Sequence, residues 1–121
     1  MSFKDTMGEC VEKLAQIDAD LRSTVEQQEG GWKHQYLRLR QDFQKHLYAM
    51  ATLEQQWPVD ITANAQQYRE IYNKLRAATA LHYTKFPVVL IDPANPAFIE
   101  SAKGVREEIA HLVDFGRRLV R

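Results

Sequence analysis

Apolar side chains recur along this chain at alternating steps of four and three residues, the spacing that places them on one stripe of a helix. Phe3, Met7, Cys10, Leu14, Ile17, Leu21 and Val25 form a first stripe, with only Val25 one position out of step. Trp32, Tyr36, Leu39, Phe43, His46, Met50, Leu53 and Trp57 form a second without a slip. Ile61, Ala65, Tyr68, Tyr72, Leu75 and His82 make a third, which Ile71, Ala78 and Leu81 widen. The fourth runs Phe98, Ala102, Val105, Ile109, Leu112, Gly116 and Leu119, with Val113, Phe115 and Val120 beside it. Four such stripes predict an all-α four-helix bundle with coiled-coil-like seams, formed as a single domain over residues 1–121.

The punctuation places the helices near 2–29, 32–56, 61–85 and 96–120. Ser2 is a cap for the first, and Asp5 three residues on approximates a capping box. Gly30-Gly31 stops it, because glycine accepts the left-handed backbone that follows a helix. Pro58 ends the second, since the residue before a proline is pushed out of the helical region. Asp60 or Thr62 caps the third and Pro87 closes it. Asn95-Pro96, a cap and then a proline at the first helical position, announces the fourth. Trp32 and Trp57 bracket the second stripe and are expected to seal the two ends of the core.

One segment breaks the pattern. Phe86-Pro87-Val88-Val89-Leu90-Ile91-Asp92-Pro93-Ala94-Asn95-Pro96 carries four consecutive aliphatics between prolines. It reads as a long crossover that plugs the bundle, of the kind an up-down-up-up connection requires. The other reading is an exposed apolar patch that a partner covers. On the second reading Val88, Val89, Leu90 and Ile91 are the partner-binding residues.

Charge narrows the choice of partner. Sixteen basic side chains balance sixteen acidic ones, which argues against a general binder of nucleic acid or anionic membranes. The balance is uneven along the chain: residues 1–31 hold three basic and seven acidic groups, and residues 32–56 hold four basic and two acidic. Opposite signs on consecutive helices favour their pairing. A basic face of Lys33, Arg38, Arg40, Lys45, Arg69, Lys74 and Arg76, interleaved with Tyr36, Tyr68 and Tyr72, keeps a nucleic-acid-associated bundle as the alternative. No apolar run approaches the ~20 residues that span a bilayer. The lone cysteine, Cys10, is expected as a buried thiol, and a cytoplasmic setting is expected.

Little in the sequence carries chemistry. His46 and His82 sit on their stripes, and Glu108-Ile-Ala-His111 is the single Glu-x-x-His pair, where a di-iron bundle needs two such pairs and two further glutamates. No metal or other cofactor is expected. A histidine phosphotransfer module, with His46 as acceptor beside Lys45, is a second alternative, weakened by the seam position of His46. There is no nucleophile elbow and no phosphate loop. The sequence therefore favours a non-catalytic scaffold, adaptor or assembly subunit, acting by helix packing against a protein partner or another copy of itself.

Overall fold

A computed structural model describes residues 2–57 and 64–120. Four helices pack against one another: α1 (Phe3–Gln27), α2 (Trp32–Met50), α3 (Ala65–Lys85) and α4 (Pro96–Val120). The chain is a four-helix bundle. After Met50 the helical path tightens into a 3-10 segment over Ala51–Gln56, and a single 3-10 turn, Val88–Leu90, interrupts the crossover.

Local chemistry accounts for the boundaries. Ser2 adopts extended backbone and its Oγ accepts the Asp5 N–H at 3.1 Å, so the first cap forms as the sequence predicts. The Asn95 side chain likewise accepts the Ala97 N–H at 3.0 Å. Helix α1 stops before either glycine, at Gln28, whose φ of 47° is left-handed and whose N–H returns to the Thr24 carbonyl at 3.1 Å. Gly31, at φ 77°, then opens α2. This is the position of the pair where glycine's freedom is needed. The expected cap at Asp60 or Thr62, the break at Pro58 and the stripe residue Ile61 lie outside the described residues.

All neighbouring helices run antiparallel. Helix α1 packs on both α2 and α4, and α3 packs on α4. Across α2 and α3 the contacts are made by long, polar-tipped side chains. Tyr68 Oη donates to the Met50 carbonyl at 2.8 Å and Tyr72 Oη to the Leu47 carbonyl at 2.9 Å. Tyr68 meets Phe115 and His82 meets Phe98, which fixes α3 against α4. The up-down-up-up order suggested by the length of the crossover is thus corrected to up-down-up-down. The connection is long because it carries core residues of its own, not because it reverses a helix. Val88 and Ile91 join Tyr36 and Phe98 in a small cluster at one end of the bundle, beside the main core.

Helices α1 and α4 are clamped at one end. A Cβ added to Gly116 would lie 2.5 Å from Val11 Cγ1, so only glycine permits the approach. One residue on, Arg117 grips Glu12 through Nε to Oε2 at 2.8 Å and Nη2 to Oε1 at 2.7 Å. This fork holds the Glu12 carboxyl below its ordinary pKa and raises that of Arg117. Complementary charge therefore joins α1 to α4. Among the described residues no carboxylate of α1 forms an ion pair with a base of α2.

Candidate functional site

The crossover is divided by side. Val88 and Ile91 are 8% and 3% exposed and face the end cluster; Val89 and Leu90 are 77% and 75% exposed. A 3-10 turn with hydrogen bonds from Leu90 N to Pro87 O and from Ile91 N to Val88 O puts Val88 and Ile91, three residues apart, on one side and turns Val89 and Leu90 away from it. The plug and the patch are both present, in different residues. Val88 and Ile91 are corrected from partner contacts to core. From α2, Lys33 Nζ donates to Val89 O at 3.1 Å and Arg40 Nη1 to Phe86 O at 2.7 Å, tying the segment down. Exposed Leu37 lies between those two residues on the same stripe of α2.

The seven basic residues do not share a face. Arg40 is corrected outright: it is 4% exposed and sits in the interior, its guanidinium 5.1 Å from the Tyr36 ring and 4.3 Å from the Tyr83 ring. Lys33 is held against the crossover. Arg38 and Lys45 flank Asp42 on the outside of α2, whereas Lys74 lines a groove between α3 and α4 with Glu70, Glu108 and Asp114. Arg69 and Arg76 are exposed on α3.

The histidines are not brought together. His82 is buried between Arg40 and Ser101, almost two turns along α2 from half-buried His46. His111 Nδ1 lies 3.6 Å from Glu108 Oε2, and among the described residues no three His, Cys, Asp or Glu side chains are grouped as metal ligands. Cys10 is half-buried rather than buried, and burial, with Glu9 adding to it, pushes its thiol pKa up. Leu81, expected in the core, is exposed, because the buried stripe of α3 runs through Thr79 instead. Trp57 does seal an end of the core, with ring centroids 4.9 Å from Phe3 and 5.0 Å from Tyr68.

One feature had no counterpart in the sequence. Away from the Val11–Gly116 clamp, residues of α1 and α4 line a cavity of about 280 Å³. Leu21 and Val25 of α1 and Ala102, Val105 and Ile109 of α4 form its apolar walls. Buried Tyr36, Phe43 and His82, with Tyr83, line the inner side, and Asp18, Arg22, Glu26 and Arg106 bring charge to it. Asp18 lies 3.7 Å from Arg22. Burial raises the Asp18 carboxyl pKa against the pull of Arg22 and Arg106, and burial raises both tyrosines.

Among the described residues no helix is long and apolar enough to cross a membrane. In comparisons with protein-family models, curated proteins and solved structures, none matches this chain.

Proposed function

We propose that this protein is a non-catalytic interaction module, a scaffold, adaptor or assembly subunit that docks a protein partner or a second copy of itself through Val89 and Leu90. The observation that carries this reading is the division of the crossover. Two aliphatic side chains are held in water by a segment that is itself anchored through Val88, Ile91, Lys33 and Arg40. A fixed apolar pair loses little freedom when covered, so its burial contributes to association with a small ordering cost. The dispersal of the basic residues favours a protein over nucleic acid as the partner. A lone, half-buried cysteine fits a cytoplasmic setting.

Native mass spectrometry of the protein isolated from its own host, alongside Val89→Ser/Leu90→Ser, tests the proposal. The expected result is a heteromeric or homomeric mass for the wild type and a bare monomer for the variant, with unchanged helical circular dichroism. A wild type that is monomeric at every concentration, or a variant that assembles equally well, would overturn it.

A further inference from the structure

Beyond this association surface, we infer that the cavity between α1 and α4 is a binding site for a small carboxylate with an aromatic body. It holds two side-chain donors, both within reach of solvent, that make no hydrogen bond within the protein among the described residues. Arg106 lines the cavity and makes no hydrogen bond or ion pair among the described residues, and the Tyr83 hydroxyl on the inner side has no hydrogen-bond partner there either. Behind Tyr36 and Tyr83 lies the buried guanidinium of Arg40, whose Nε is also unpartnered and which touches no carboxylate. The lining itself carries Arg22 and Arg106 against Asp18 and Glu26, and Arg40 behind it is a third cation. Of the two carboxylates, Asp18 is paired with Arg22 and also feels the charge of Arg106, and Glu26 is exposed. A cation buried without a counter-ion is costly, and an anion entering the cavity offsets that cost.

The rest of the cavity selects the body of the ligand. Its walls are aliphatic, and the inner side presents aromatic rings suited to stacking. A dry cavity of ~150 Å³ accommodates benzene, so about 280 Å³ accommodates roughly ten to twelve non-hydrogen atoms. Inorganic anions would leave the aliphatic walls uncovered. A phenylalkanoate covers them while its carboxylate accepts from Arg106 and Tyr83.

Titration of the full chain with 3-phenylpropionate, followed by amide NMR shifts, tests this, with 3-phenylpropanol and phenethylamine as neutral and cationic counterparts. The carboxylate is expected to bind with a dissociation constant below about 1 mM, with shifts confined to Leu21–Glu26, Tyr83 and Ile99–Arg106. Arg106→Gln is expected to weaken it tenfold or more and Tyr83→Phe severalfold, both variants remaining folded. Ala102→Leu, which fills the cavity, is expected to abolish binding. The inference is overturned if the alcohol or the amine binds as well as the acid, if the shifts map elsewhere, if Arg106→Gln binds normally, or if no compound binds. Val89→Ser/Leu90→Ser is expected to bind 3-phenylpropionate like the wild type, so failure of either proposal is read separately.

Discussion

Arg40 Nη2 lies 3.4 Å from His82 Nε2, and this contact between α2 and α3 fixes the state of the imidazole. A guanidinium has only donors, so Nε2 must accept, and the ring proton sits on Nδ1, where it donates to Ser101 Oγ at 2.7 Å. Protonating His82 would set two donors against each other in a buried site. Its pKa is accordingly held down at about 4, first by burial and then by the charge of Arg40. Arg40→Met is expected to raise the His82 pKa measurably without returning it to the ordinary 6.5. An NMR titration of the imidazole reads this directly; an unmoved pKa would mean that Arg40 does not act on the ring.

The same depression makes stability depend on pH. Between pH 6.5 and about 4 the unfolded chain binds a proton at His82 that the folded chain refuses. The contribution is complete above pH 6.5 and is lost as pH falls toward 4, to a total of roughly 3 kcal/mol. Urea unfolding of wild type and His82→Gln at pH 7.5, 6 and 4.5 isolates it. The stability difference between the two is expected to shift toward the variant as pH falls. A gap independent of pH would show that His82 is protonated equally in both states.

The division of the crossover has its own consequence. Val88→Ser/Ile91→Ser removes two buried aliphatics and places hydroxyls among Tyr36 and Phe98, which is expected to cost at least about 3 kcal/mol. Val89→Ser/Leu90→Ser changes water-facing residues and is expected to stay within about 0.5 kcal/mol of the wild type. Urea midpoints of the two double variants test the division. Equal destabilisation would mean that the turn does not separate the side chains in this way.

Much of the bundle was legible because a stripe of alternating fours and threes has few ways to be buried. Tyr36, Phe43 and Met50 are core in α2, Leu53 in the 3-10 segment that follows it, and Tyr68, Tyr72, Leu75 and His82 in α3. Positions 36, 40, 43, 47 and 50 make an equally regular stripe, and only the charge of Arg40 argued against it. Burial of that charge depends on the Phe86 carbonyl and two tyrosine rings, which are distant in sequence. Helix order was misjudged because loop length alone does not distinguish a crossover from a loop that contributes to the core. The cavity was invisible because its lining comes from all four helices, a juxtaposition that a one-dimensional pattern does not carry.

Helices α1 and α4 touch at Gly116, and two effects oppose each other there. Glycine inside a helix costs about 1 kcal/mol relative to alanine, so Gly116→Ala should stabilise α4 considered alone. The added Cβ would meet Val11 Cγ1 at 2.5 Å, with Val11 Cβ and Cγ2 both at 3.3 Å. A β-branched side chain in a helix has one strongly favoured rotamer, so Val11 cannot swing aside, and overpacking of this kind costs about 1–3 kcal/mol. The clash is expected to win, leaving Gly116→Ala less stable by about 1 kcal/mol. Val11→Ala alone leaves a void and is also destabilising, whereas in the Gly116→Ala background it relieves the contact. The double variant should therefore be more stable than the sum of the single changes by at least about 1 kcal/mol. Chemical denaturation of all four proteins completes the cycle; strictly additive energies would show that α1 and α4 are not held together at this point.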